Sequence, residues 1–226
     1  MFSLLKIPDL VSMLNGFFGL TTIFFLIIDL DLASSIRFHI AIVLILLGLL
    51  ADGLDGILAR RFGKGTLGAY FEAMSDMTTM GITPAVFIAF LFKSTYQVDI
   101  IYSLILWTVL LIYVCSAFVR LASFHPLENK EVFIGFPASA TTILLISVSV
   151  FFQSMILLYL VVLISAILLI LPIPFPKPTN LMNIITVLVI FLTIFIGFFT
   201  PLIYLLLLFS VFLYMIGGQF YLFFTK

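Results

Sequence analysis

About eight apolar runs, each long enough to cross a bilayer, fill this chain almost end to end. In hydrocarbon only a helix or a closed barrel satisfies its own backbone polar groups, and a run of about 20 apolar residues reads as a spanning helix. By that criterion the runs lie at roughly 9–29, 37–61, 67–92, 99–123, 136–152, 155–171, 182–199 and 201–222. Gln153-Ser154 and Thr200-Pro201 mark tight turns within what would otherwise read as two long helices. Composition agrees: 64% of residues are hydrophobic and 9% charged, against about 45–50% and about 25% in soluble domains, and the mean hydropathy is +1.39. The expected fold is an all-α integral membrane protein, a polytopic bundle of about eight transmembrane helices.

The first run follows Lys6, is span-length and leads into further spans, so it is expected to stay as an anchor and not to be cleaved as a signal. With eight spans, Lys6, Arg60, Arg61, Lys64, Arg120, Lys130, Lys177 and Lys226 fall on one side and only Arg37 and Lys93 on the other. The excess of basic residues in cytoplasmic loops then puts both termini inside, in the cell membrane. The longest polar stretches, 29–37, 93–99, 125–131 and 172–180, are too short to fold alone. Zero formal net charge argues against a nucleic-acid partner, which would want a basic surface. The lone Cys115 rules out an intrachain disulfide and reads as packing. His39 and His125 stand apart from any Cys/His cluster, and Trp107 and the tyrosines Tyr96, Tyr102, Tyr159 and Tyr214 read as belt or packing residues.

Against this background four acids stand out. Of ten acidic residues, four lie in Asp52-x-x-Asp55-Gly56-x-x-Ala59-Arg60 and Gly68-x-x-x-Glu72-x-x-x-Asp76, seven residues apart. Charges at membrane depth are expensive and face a cavity, a partner or an ion. At 100° per residue, 52, 55, 56, 59 and 60 share an arc of roughly 140°, and 68, 72 and 76 stack along one face of the next helix. The short connection 61–66 makes the two helices antiparallel neighbours, so the acidic faces meet across one seam. Four such charges need compensation by protons or by cations, and carboxylate oxygens suit Mg²⁺, Mn²⁺ or Ca²⁺. No Cys or His joins them, which argues against zinc. Gly56, Ala59 and Gly68 leave room for a ligand against the helix backbone, as phosphoryl chemistry on a pyrophosphate would need. An ion or proton relay in a transporter accounts for intramembrane acids equally well.

The two segments resemble the signature of the CDP-alcohol phosphotransferase family, Asp-x-x-Asp-Gly-x-x-Ala-Arg, a spacer, then Gly-x-x-x-Asp-x-x-x-Asp, matched everywhere except at Glu72. Further segments are similar to the phosphatidylserine and archaetidylserine synthase branch of that family. Ile7-Pro8-Asp9-Leu10-Val11-Ser12 resembles an opening that usually reads Pro-Asn with Thr three positions later. Met77 to Ala85 is similar to its Phe-Gly-Val-Ala-Pro-Ala tail, Arg120-Leu121-Ala122-Ser123-Phe124 to its Arg-Leu-Ala-Arg-Phe, and Phe133-Ile134-Gly135-Phe136-Pro137 to its Phe-x-Gly-Leu-Pro. The Pro172 to Lys177 stretch fits a similar Pro-rich segment, and the last two spans match by position only.

The resemblance implies a six-helix catalytic core over 1–175, followed by two additional C-terminal helices over 176–226. It implies transfer of a phosphatidyl or archaetidyl group from a CDP-activated lipid to L-serine with release of CMP; glycerol phosphate or inositol phosphate as acceptor is the alternative within the family, and ion transport the alternative outside it. Two divalent metal ions, Mg or Mn with Ca also suited, would be held by Asp52, Asp55, Glu72 and Asp76, and Asp76 would take the proton of the acceptor hydroxyl. Glu72 keeps the charge and adds a methylene. Gly56, Ala59, Arg60, Lys64 and Gly68 are expected on the CDP side, with Thr66 beside them. Ser12 and Asn15, polar on an apolar span, either line the nucleotide pocket or make interhelical hydrogen bonds. Arg120 is the candidate for acceptor binding, its alternative being an interfacial anchor. The partners are then the CDP-lipid, L-serine and the bilayer, with a homodimer common in the resembling family. Diacyl and archaeol tails present the same apolar demand.

Overall fold

The computed structural model describes residues 5–28, 30–63, 65–96, 99–123, 132–151 and 154–224 of the 226. Among them lie eight helices: α1 (Ile7–Ile27), α2 (Ser34–Phe62), α3 (Gly68–Thr95), α4 (Ile100–Ala122), α5 (Ala138–Phe151), α6 (Met155–Ile170), α7 (Asn180–Ile196) and α8 (Ile203–Phe224). Five of these, α1 to α4 and α8, are long and apolar enough to cross a membrane, and α5, α6 and α7 are shorter apolar helices. The protein is thus an all-α polytopic membrane protein. The turn expected at Thr200-Pro201 separates α7 from α8. Of the pair Gln153-Ser154, Gln153 lies outside the described residues and Ser154 caps α6. The chain divides into two compact units, Met1–Ser94 and Thr95–Lys226.

In the first unit α1 is polar where it is buried and apolar where it is exposed. Asp9, Ser12, Asn15, Gly16, Gly19 and Thr22 recur every three or four residues on the buried face, which packs on α2 and α3. Met13, Phe17, Leu20 and Phe24 point outward, as a lipid-facing stripe should. The small residues let backbones close up: a Cβ at Gly19 would lie 2.6 Å from Thr79 Oγ1, and one at Gly48 would lie 2.6 Å from Thr79 Cγ2. Thr79 therefore sits in a notch where three helices meet, fully buried, with its hydroxyl donating to the Asn15 carbonyl at 2.9 Å.

Arg37, expected only as one of two cations on the outer side, is buried and closes α1. Its Nη2 donates to the carbonyls of Leu26 and Ile28 at 2.8 Å and of Phe25 at 3.2 Å, and its guanidinium lies 4.8 Å from the Phe90 ring centroid. These are carbonyls that a helix end leaves without partners, and a cation there also suits the helix dipole.

The third helix is not uniform. Directly after Asp76 it widens to a π-helical stretch, Met77–Ile82, before resuming at Thr83. Pro84 supplies the reason: a proline has no N–H to donate and its ring clashes with the carbonyl four residues earlier, and a wider turn relieves both faults. Thr83 turns both its backbone N–H and its Oγ1, the latter at 2.8 Å, onto the Thr78 carbonyl, with the Gly19 carbonyl 3.2 Å from Oγ1. Such wide turns often accompany functional sites.

The second unit packs α4 on α6, α5 on α6 and α8, and α7 on α8. It also contains a feature that hydropathy does not reveal. Two short strands, β1 (Val132–Ile134) and β2 (Pro174–Pro176), pair antiparallel with Phe133 opposite Phe175. Gly135 follows β1 with φ +85°, in the left-handed region that favours glycine.

Candidate active site

Helix length sets the depth of the acids. At about 1.5 Å per residue, Asp52 and Asp55 stand about 15 and about 10 Å from the Phe62 end of α2. Glu72 and Asp76 stand about 6 and about 12 Å from the Gly68 end of α3. The connection between those ends is short, because Gly63 stops α2 with φ +76° and donates to the Ala59 carbonyl at 2.9 Å. Asp52 therefore faces Asp76 at one level, with Asp55 and Glu72 nearer the mouth.

The carboxyls of Asp52 and Asp76 lie close enough across the seam to interact directly, and the charges of Asp55 and Glu72 act on both. All four acids expected at the site are thus brought together by α2 and α3. Two of them are oriented from α1. Ser12 Oγ donates to Asp55 Oδ2 at 2.6 Å, with the Pro8 carbonyl 3.2 Å away, and Asn15 Nδ2 donates to Asp76 Oδ1 at 2.9 Å. Ser12 and Asn15 are buried, as is Asp55. The interhelical hydrogen bonds expected as one alternative for this pair are thus present.

The residues expected on the CDP side line the same two helices. Gly68 is buried at the start of α3, Gly56 and Ala59 are half-buried on α2, and Arg60 and Thr66 are exposed. The Arg60 guanidinium folds back over Gly56, with Nη1 3.8 Å from where a Cβ would stand. Lys64 lies outside the described residues. Arg120 belongs to the second unit, buried on α4, with Nε donating to the Phe136 carbonyl at 3.1 Å.

Asp9 went unrecognised as a site neighbour. It is almost fully buried, its Oδ2 accepts from the Lys6 backbone N–H at 2.8 Å, and Gly65 passes so close that a Cβ there would lie 3.0 Å from its carboxyl carbon. An acid in the first turn of a helix that opens with proline is a recognisable N-terminal signal; the crossing of Gly65 over it is not. The α2–α3 connection thus passes directly against the start of α1.

Among the described residues no group of three Asp, Glu, His or Cys side chains is arranged, as it stands, to hold a metal ion. The donor set nevertheless fits a hard divalent cation. It is all carboxylate oxygen, and it is crowded with like charge that a cation would offset.

Residues 5–174 match the family model described as CDP-alcohol phosphatidyltransferase. A relative from Methanocaldococcus jannaschii named CDP-diacylglycerol--serine O-phosphatidyltransferase is 32% identical over 184 residues, 80% of this chain and 80% of its own length. One of the same name from Mycobacterium leprae is 32% identical over 122 residues, 47% of this chain and 38% of its own length. An archaetidylserine synthase from Methanothermobacter thermautotrophicus is 36% identical over 89 residues, 38% of this chain and 35% of its own length. This chain belongs to the CDP-alcohol phosphatidyltransferase family. Membership of a transferase family sets aside the ion-transport reading.

Proposed function

We propose that this protein transfers the phosphatidyl or archaetidyl group of a CDP-activated lipid to L-serine and releases CMP. The observation that carries the reading is the Asp52–Asp76 pair spanning the α2–α3 seam, with Asp55 and Glu72 alongside. Relatives named for serine transfer support the choice of acceptor.

In this reading Asp76 accepts the proton of the serine hydroxyl. A hydroxyl is a weak nucleophile near neutral pH, and a positioned base contributes on the order of 10²–10⁴ in rate. The serine oxygen forms a bond to the lipid-side phosphorus, the bond from that phosphorus to the bridging oxygen breaks, and CMP leaves with the bridging oxygen. Asn15 holds one oxygen of Asp76 so that the other faces its task, and Ser12 does the same for Asp55. Asp52, Asp55, Glu72 and Asp76 would hold two divalent cations, Mg²⁺ or Mn²⁺ with Ca²⁺ also suited, whose chemistry there is to neutralise charge developing on the pyrophosphate. Gly56, Ala59 and Gly68 leave space for the nucleotide diphosphate, and Arg60, with Lys64 from the connection, offers it positive charge. Arg120 binds the carboxylate of serine: a guanidinium buried on an apolar helix is costly and marks a functional residue. The excess of basic residues at the carboxylate end of α2 and α3 supports a cytoplasmic active site in the cell membrane, and the family resemblance supports a homodimer as its assembly.

The test is CMP release by purified protein given CDP-diacylglycerol or CDP-archaeol, Mg²⁺ or Mn²⁺, and L-serine, glycerol 3-phosphate or inositol 1-phosphate separately. Release driven by serine alone is expected. Release driven by a phosphorylated acceptor would overturn the serine reading and leave the carboxylate site intact.

A further inference from the structure

In the second unit, β2 is held from the far end of the chain. Three residues within two turns of α8 converge on it. Tyr214 donates its hydroxyl to the Pro176 carbonyl at 3.0 Å, and Gln219 Nε2 donates to the Pro174 carbonyl at 2.8 Å. Gly218 between them comes so close that a Cβ would lie 3.0 Å from Pro176 Cδ. Prolines at both ends of β2 cannot donate to β1, so the ladder between the strands is thin and the strap needs support from elsewhere.

What the strap holds is Arg120. β2 pairs with β1, β1 runs into Gly135, and Gly135 donates its N–H to the Ile173 carbonyl at 2.8 Å. The carbonyl of the next residue, Phe136, accepts from Arg120 Nε. A Cβ on Gly135 would lie 3.3 Å from Arg120 Nε and 3.0 Å from the Leu169 carbonyl, so the guanidinium stem runs directly across this backbone. The Tyr214 ring closes the arrangement, stacked on Phe175 at 5.9 Å between centroids and tilted against Phe136 at 6.2 Å.

We propose that Tyr214 is a positioning residue for Arg120: by fixing the Pro174–Pro176 strap through its hydroxyl and Phe136 through its ring, it aims the guanidinium that binds the acceptor. The inference rests on the acceptor role given to Arg120 above. It assigns a specificity function to α8, a helix beyond residue 174, where the family match ends.

The experiment compares Tyr214→Phe, Gln219→Ala and Arg120→Lys in the full chain, with KM for L-serine, KM for the CDP-lipid, kcat and thermal stability in detergent measured for each. Tyr214→Phe keeps the ring and removes one hydrogen bond, of a size that translates to about fivefold in an equilibrium. KM for serine is therefore expected to rise about fivefold, with kcat and KM for the CDP-lipid within about twofold. Gln219→Ala should move the same parameter in the same direction, which keeps the proposal testable if Tyr214→Phe is too unstable to assay. A serine KM raised by Arg120→Lys but by neither α8 variant would overturn the inference and leave the acceptor role standing. A serine KM unmoved by all three would remove the acceptor role of Arg120 and the inference with it. Equal losses in kcat and in both KM values would mean that α8 is only structural, and would also overturn it.

Discussion

Asn15 donates to an oxygen of Asp76 at 2.9 Å, and a primary amide in that position fixes how the carboxyl is turned. The proposed base is thus oriented by a neutral neighbour. Asn15→Leu, close in size but unable to donate, is expected to lower kcat about 10- to 100-fold, the usual cost of removing an outer partner of a metal-binding carboxylate. The same variant should weaken Mn²⁺ binding, which electron spin resonance reads without turnover; unchanged Mn²⁺ affinity and kcat would mean that Asp76 needs no such support. Asp76→Asn is expected to abolish CMP release while CDP-lipid still binds, and normal turnover in that variant would reject Asp76 as the base. The four acids were legible in the sequence because helical spacing and chemical type coincide there. The partners of Ser12 and Asn15 were not, since a polar residue on an apolar span shows only that something polar faces it.

At the scale of single helices, the wide turn after Asp76 escaped the periodicity, which follows a fixed 100° per residue and has no way to register one locally expanded turn. Pro84 was the available signal, because a proline deep in a span calls for repair of the backbone upstream. The strand pair escaped for a different reason: its halves are three residues each and lie some forty residues apart, so neither gives a local pattern. One close contact between helices is the Thr79 notch. Gly19→Val would drive its first carbon to 2.6 Å from Thr79 Oγ1 and 3.0 Å from Thr79 Cα, and backbone cannot retreat as a flexible side chain can. A loss of about 1–3 kcal/mol is expected from such overpacking, read as a lower unfolding temperature in detergent. Activity should fall with it, since the Thr79 hydroxyl holds the backbone of Asn15. A variant as stable and as active as the parent would show that α1 can shift freely over α3.

For the molecule as a whole, if the four acids crowded between two helices hold cations as proposed, folding and cation binding become parts of one equilibrium. A ligand held only by the folded chain stabilises it by about 2.7 kcal/mol at a hundred times its dissociation constant. Mg²⁺ or Mn²⁺ should therefore raise the unfolding temperature, and chelation should lower it and stop CMP release. The shift should vanish in an Asp52→Asn, Asp55→Asn double variant; persistence there would place the cation elsewhere. The inverted polarity of α1 also bears on how the chain is made. Ser12 waits 43 residues for Asp55, Asn15 waits 61 for Asp76, and the notch around Thr79 closes only 64 residues after Asn15. At about 5–20 residues per second of synthesis, the polar edge of α1 stands unmatched for roughly 3 to 13 seconds. The insertion machinery must shelter it for that long, because released alone into lipid it would offer its amide to any passing helix.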